Sequence, residues 1–305
     1  TVSITDYTQK TVTTSINLDT SNEIAIIYAQ GEIQSGEGDV NVIGEGSMRR
    51  SLQEARKNKD VKAIVLRIDS PGGNALTSDL IWREIKLTKK VKPVVVSMGN
   101  YAASGGYYIA CNANKIFAEN NTITGSIGVF GILPNFTVIA NRYGINTEQV
   151  RTHENASDYS PFVPLDEKFK AVTLESIEHI YKTFVVHVAE GRKMTFAQVD
   201  AIAQGRVWTG SDAVKIGLVD KIGGLDDAIH EAAAIAKIKT YSTQNYPEYE
   251  KNFNDFLANF PFAKSKESFI KEEIGTENYK LMQQLKQLQA RKGVQALMPF
   301  EINIQ

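Results

Sequence analysis

Three short apolar runs, rich in β-branched residues, recur along the first hundred positions: "NEIAIIYAQGEI" at 22–33, "KAIVLRID" at 62–69 and "KPVVVSM" at 92–98. Between them lie two segments with helical spacing of their apolar positions, "MRRSLQEARKNKDV" at 48–61 and "LTSDLIWREIKLTKK" at 76–90. A strand that is apolar on consecutive positions must be covered on both faces. Helices that alternate with such strands supply that cover, and the crossovers make the strands parallel. An α/β protein with a mostly parallel sheet is therefore expected.

Further along, "CNANKIFAENNTITGSIGVFGIL" at 111–133 holds two short strands separated by turn residues. From 165 the chain turns helical: a long amphipathic segment over 165–193, "TFAQVDAIAQ" at 195–204, and "LDDAIHEAAAIAKI" at 225–238. We divide it into a polar junction segment at 1–21, a domain at 22–240, and a C-terminal extension at 241–305. The extension has paired aromatics and a helical pattern, "TENYKLMQQLKQLQARK". It is expected to pack on the core or on a neighbouring subunit.

Composition excludes several functions. Hydrophobic residues make up 42% and charged residues 23%, enough apolar material for a real core. The 34 basic and 35 acidic side chains leave a net charge of -1, so no field draws nucleic acid. No run approaches the roughly 18 apolar residues of a membrane-spanning helix. The polar start, "TVSITDYTQK", lacks the apolar stretch of a signal peptide and reads as the edge of a longer protein. One cysteine, Cys111, and four histidines give no zinc-ligand spacing, so neither metal nor cofactor is expected. His179 and His187, eight apart on a helical pattern, are expected at the surface or in packing.

Four motifs remain. "DSPGGNA" at 69–75 follows a buried strand; its glycines permit positive φ and close backbone approach, either for half of an oxyanion hole or for a bare strand-to-helix connection. "YAASGGYY" at 101–108 sets Ser104 among small residues. That suits a nucleophile on a sharp turn, with the Gly105 N–H facing a developing oxyanion, and it equally suits a helix packed tightly on a sheet. It is not the G-x-S-x-G elbow, since Ala102 stands at the first glycine position. "TITGSIGVFG" places Ser126 between glycines, and "GRVWTGSDAVKIGLVDKIGG" reads as a closely packed helix and strand. The two glycine-rich exits follow successive parallel strands and fall on one sheet edge, where α/β folds place their sites.

Together "VKAIVLRIDSPGG", "KPVVVSMGNYAASGGYYIA", "ITGSIGVFG" and "AQGRVWTGSDAVKIGLVDKIGG" resemble the signal peptide peptidase A (protease IV) family, from about 22 to 237. The resemblance implies a crotonase-like fold shared with caseinolytic protease. It implies Ser104 as nucleophile, a lysine base kept neutral by burial, Ser126 orienting that lysine, and Gly73 with Gly105 as oxyanion hole. It implies peptide substrates, cleaved signal peptides above all, with Tyr107, Tyr108, Val129 and Phe130 as candidate pocket lining against a core-packing alternative. It also implies a ring-like homo-oligomer, possibly a tetramer, at the extracytoplasmic face of the bacterial inner membrane, anchored through a segment outside this chain.

The pattern departs from the family's single-unit members at the base. They carry the lysine about 50 residues after the serine; here the corresponding stretch, "VRTHENASDYSPF" at 150–162, has none. Lys168 and Lys170 come later, on a helix whose charged positions are expected in solvent. The chain thus resembles the C-terminal half of the family's two-half form, whose N-terminal half supplies the lysine, and little activity is expected of it alone. Three other readings stand beside this one: a triad of Ser104, His153 and Asp158 or Glu154; an inactive half serving assembly and substrate capture; and an acyl-CoA enzyme, which needs no serine nucleophile.

Overall fold

The computed structural model of the chain describes residues 22–153, 156, 159–247, 275, 282 and 295–297. The three apolar runs form β1 (Glu23–Gln30), β4 (Val61–Ser70) and β6 (Val94–Ala103) at the centre of the main sheet. All three are parallel, with Ile27 opposite Leu66 and Leu66 opposite Val96. β7 (Lys115–Ala118) and then β10 (Lys221–Ile222) extend the sheet beyond β6. β11 (Ser242–Tyr246) closes the other side, parallel to β1. β8 (Ile123–Gly125) runs beside the last residues of β6 and carries the antiparallel β9 (Val207–Thr209). A smaller sheet holds β3 (Val42–Gly44), β2 (Glu32–Gln34), β5 (Gly72–Asn74) and β12 (Gln295–Leu297) in that order.

Side chains alternate between the two faces of the main sheet. Ala25, Ile27, Ile64, Leu66, Val94 and Val96 meet Met48 and Leu52 of α1 (Glu45–Lys57), Ile81 and Ile85 of α2 (Ala75–Lys89), and Phe184 of the long helix Glu167–Arg192. The intervening residues Ile24, Ile26, Ala63, Val65 and Val95 point the other way. The helix Leu225–Ala236 covers them with Ala228, Ile229, Ala232 and Ala233. The mostly parallel α/β architecture expected from the sequence is the one observed.

Between these elements come α3 (Gly105–Ala110), α4 (Thr137–Arg142), α5 (Glu167–Arg192), α6 (Phe196–Ile202) and α7 (Gly210–Lys215), with Leu225–Ala236 as α8. At the start of α6, Thr195 accepts the Gln198 N–H while the Gln198 side chain accepts the Thr195 N–H, a reciprocal cap. His187 proves to be a packing residue: it stacks on Trp82 at 3.5 Å and its Nε2 lies 3.1 Å from Asp79 Oδ1. His179 is exposed. No described helix is long and apolar enough to cross a membrane.

Four features differ from the sequence reading. The smaller sheet is unexpected, since β3 and β5 fall in segments read as a loop and a turn. β6 runs past its expected end at Met98 to Ala103. α4 has no counterpart among the expected helices. Residues 242–246, assigned to the extension, complete the main sheet. The junction segment 1–21 lies outside the described residues, as does, but for Met282, the helix expected over 276–292.

Candidate active site

The site begins with an irregularity in β6. Ile68 stands opposite Met98, but the next pair is Ser70 with Ala102. Asp69 alone therefore faces Gly99, Asn100 and Tyr101, a bulge that bends the strand and re-aims its last residues. Bulging breaks ladder hydrogen bonds, and buried backbone groups need other partners. Side chains from both neighbouring strands supply them. Asp69 Oδ1 accepts the Tyr101 N–H at 3.0 Å. Thr122 Oγ1 donates to the Gly99 carbonyl at 2.7 Å, and Thr124 Oγ1 to the Ala102 carbonyl at 2.8 Å. A Cβ on Gly99 would sit 3.0 Å from the Asp69 carboxyl carbon, so the bulge closes on glycine.

Ser104 comes directly after β6, at φ 52 and ψ -115, a conformation that costs a residue with a Cβ about 1–3 kcal/mol. Its N–H donates to the Gly125 carbonyl and its own carbonyl accepts the Tyr108 N–H, both at 2.8 Å. The second bond starts α3, whose first N–H groups, beginning with Gly105, have no acceptor inside the helix. Gly106 lets the helix approach β4: a Cβ there would lie 2.7 Å from the Ser70 carbonyl oxygen. The Ser104 side chain is buried, and its hydroxyl reaches the Gly128 carbonyl only at 3.5 Å, a weak bond.

Ser126 lies alongside. Ala103 and Gly125 are the last pair of β6 and β8, and the two serines are the next residues on these strands. Adjacent strands are about 4.8 Å apart. Ser126 also has positive φ, 47, and its N–H donates to the Arg206 carbonyl at 2.7 Å. On the other side of Ser104, Gly73 has φ +152, and a Cβ there would meet the Ile33 carbonyl oxygen at 2.0 Å. Only glycine fits. The exits of β4 and β6 thus share one edge of the sheet, and Ser104, Gly105, Gly73 and Ser126 all sit at it.

Val129 and Phe130 line an open cavity of about 400 Å³ together with Ser126, Gly128, Tyr181, Gln204 and Gly205. Burial and a 2.5 Å hydrogen bond to Asp200 push the Tyr181 phenol up to about 12, so it stays a neutral donor. Tyr107 and Tyr108 are elsewhere, and the expectation that they line the pocket is corrected: both are buried in the core. The Tyr107 hydroxyl donates to the Leu218 carbonyl, the Tyr108 hydroxyl to Asp79, each at 2.8 Å. Residues at the third and fourth positions of a helix packed against a sheet turn inward here, which AASGG could not reveal.

Two described lysines have amines pushed below their usual range by burial, Lys89 and Lys92. The described hydrogen bonds of both amines go to groups other than Ser104 and Ser126. Lys92 donates to the Ala55 carbonyl and also bonds that of Asn58, and Lys89 donates to the Asn112 carbonyl at 2.7 Å. The Lys92 contacts lie by the start of β6, at the opposite end of that strand from the serine, and the Lys89 amine sits on carbonyls that follow the last turn of α3. Lys168 and Lys170 are exposed. His153 is exposed and shares a 2.9 Å hydrogen bond with neighbouring Thr152, while Glu154 and Asp158 lie outside the described residues. Sequence reasoning missed Asp69, Thr122 and Thr124. A carboxylate at a strand exit and two threonines on one strand face were the available signals, and they carry meaning only once the bulge is known.

The fold and site define a mostly parallel α/β domain with a strained serine at a sheet edge, and comparison with known proteins gives its family. The sequence model of peptidase family S49 matches residues 86–239. The chain is 42% identical over 248 residues to Protease 4 of Salmonella typhi, covering 81% of this chain and 39% of that protein. It is 43% identical over 227 residues to the chloroplastic serine protease SPPA of Arabidopsis thaliana, covering 72% of this chain and 32% of that one. A solved structure of a mutant ClpP1 from Listeria monocytogenes aligns over 67% of this chain and 94% of its own, with TM-score 0.46 and 17% identity. This chain belongs to peptidase family S49. The match spans 39% and 32% of the length of these two curated relatives.

Proposed function

We propose that the chain is the nucleophile-bearing part of a serine endopeptidase that cuts apolar peptides, cleaved signal peptides among them, at a bacterial membrane. The observation that carries this reading is Ser104 itself, held at φ 52 at the exit of β6 within the stretch matched by the family model. In the proposed reaction the Ser104 oxygen attacks the scissile carbonyl carbon and its proton passes to a neutral lysine amine. The oxyanion is stabilised by the N–H groups of Gly73 and Gly105. The lysinium then protonates the leaving amine, and water, deprotonated by the same lysine, releases the acyl group and restores Ser104. Ser126, one strand away, orients the amine. Val129, Phe130 and Tyr181 give the substrate an apolar wall.

The lysine comes from a second polypeptide half. The absence of lysine from 150–162, and the engagement of the Lys89 and Lys92 amines by backbone carbonyls, both favour that source. A homo-oligomer, ring-like, with its catalytic edge at the extracytoplasmic face, completes the proposal.

The test is labelling with a fluorophosphonate, first of this chain alone and then mixed with the N-terminal half, with Ser104→Ala beside each. Labelling confined to the mixture and lost in Ser104→Ala is the expected result. Labelling of the chain alone would place the base within it and make His153 the first residue to replace. Labelling that survives Ser104→Ala would end the assignment of the nucleophile.

A further inference from the structure

α8 covers Ile24, Ile26, Ala63, Val65 and Val95 on one face of the main sheet. Two residues beyond Val65, on the same face, stands Arg67, with Tyr28 of β1 opposite it on one side and Ser97 of β6 on the other. Arg67 is partly buried, and its Nη1 donates to Ser97 Oγ at 2.8 Å and to the Met98 carbonyl at 2.9 Å. These bonds use both hydrogens of Nη1 and leave the three N–H groups of Nη2 and Nε. Among the described residues those three have no acceptor, and no carboxylate comes within ion-pair distance of them. Neither nitrogen is sealed from solvent. A charge withdrawn from water ordinarily has a counter-ion. Arg67 instead lines an open cavity of about 370 Å³ with Asn100, Tyr101, Glu119, Asn121 and Ile123.

We propose that this cavity is a carboxylate-binding site, separate from the site at Ser104, that takes the free C-terminal end of a short peptide. With Nη1 anchored to β6, Nη2 and Nε present two parallel N–H groups, the fork that matches a carboxylate. The exposed side chains of Asn100 and Asn121 offer amide donors and acceptors to the last peptide groups, and Ile123 offers apolar contact. The volume suits a small ligand. Two acids set the selectivity. Asp69, two residues along β4, has one carboxylate oxygen on the Tyr101 N–H at 3.0 Å, and Glu119 is exposed at the rim. Both repel a second negative charge, so a monoanion is preferred to phosphate. Each peptide bond cut creates one new carboxylate, so the proposed function would make the ligand a product of the same protein. Only that last link rests on the proposed function; the binding itself does not.

The experiment titrates the chain with acetyl-Ala-Ala, read by ligand-observed NMR, beside its C-terminal carboxamide, acetate and inorganic phosphate. Expected is saturable binding of the acid by about 10 mM, with the other three about tenfold weaker. Arg67→Lys keeps the charge and loses the fork, and should bind the acid about tenfold more weakly. No binding of the acid, equal binding of the carboxamide or acetate, tighter binding of phosphate, or unchanged affinity in Arg67→Lys overturns the proposal. Arg67 also ties β4 to β6, so a second variant guards against misfolding. Glu119→Gln, at an exposed position, should bind the acid about threefold more tightly and the carboxamide as before. Unchanged or weaker binding of the acid there overturns the proposal independently. Fluorophosphonate labelling in the mixture with the N-terminal half separates this inference from the catalytic reading. Labelling without binding of the acid ends the carboxylate site alone; binding without labelling ends the nucleophile assignment and leaves the site at Arg67 standing.

Discussion

Ser104 is held at φ 52 and ψ -115 by the Gly125 carbonyl on one side and the first turn of α3 on the other. Replacing it by glycine removes both the hydroxyl and the strain. A net gain of about 1 kcal/mol, after glycine's own entropy cost, raises the melting temperature by about 2–4 °C, measurable by calorimetry. Ser104→Ala keeps the Cβ and leaves the melting temperature near that of the native chain. Gly73→Ala runs the other way: its Cβ would meet the Ile33 carbonyl oxygen at 2.0 Å, so both stability and labelling of Ser104 in the mixture are expected to fall. The candidate serine and its glycines were legible because small residues around one serine are a local pattern. The positive φ was not, because β8 and the bulge impose it. Nor was the inward turn of Tyr107 and Tyr108, which depends on what lies beneath α3.

At the scale of elements, the bulge in β6 rests on polar side chains borrowed from its neighbours. Thr122 is buried, donates to the Gly99 carbonyl and accepts the Glu119 N–H. Thr122→Val keeps the shape and drops both bonds, which costs about 1–3 kcal/mol. Chemical denaturation should register the loss, and slower labelling of Ser104 should accompany it. A second tie joins α5 to the strand ends: Arg192 Nη1 donates to Asp220 Oδ2 at 2.9 Å, and Asp220 also accepts the Ile116 N–H at 2.8 Å. Burial pushes the Asp220 carboxyl up, but the bond and charge of Arg192, the Ile116 N–H and Lys115 outweigh it and leave the group below its usual range. A carboxylate depressed in the folded state contributes stability above its unfolded value, near 4, and loses that contribution as pH falls through the folded value. The Asp220→Asn chain should therefore be less stable at neutral pH, with a shallower loss of stability below about pH 4. The central strands were legible because burial on both faces makes them continuously apolar. The end of β6, "GNYAA", carries no such pattern, since its partners Asp69, Thr122 and Thr124 come from outside that strand.

For the whole molecule, an apolar surface remains after the core is formed. Val138 and Ile139 of α4 are 81% and 59% exposed, and Tyr143 beyond it is 77% exposed. Their position supports the proposed self-association. Replacing Val138 and Ile139 together by Asp should shift the sedimentation profile toward smaller species without lowering the melting temperature, since neither side chain belongs to the core. The α/β class was legible from the order of strands and helices. The role of 242–246 was not, because a polar strand at the margin of a sheet is specified by its partner β1 rather than by its own apolar content.

The pairing of Ala103 with Gly125 has a consequence for how such a domain can change. The spacing of Ser104 and Ser126 is fixed by the sheet, whereas the cavity beyond them is walled by Val129, Phe130 and Tyr181, which come after the end of β8 or stand on α5. Those walls can be redrawn, by drift or by a combinatorial library over 129–133, while the two serines keep their separation, so under the proposed function preference for one peptide over another is separable from the capacity to cut at all.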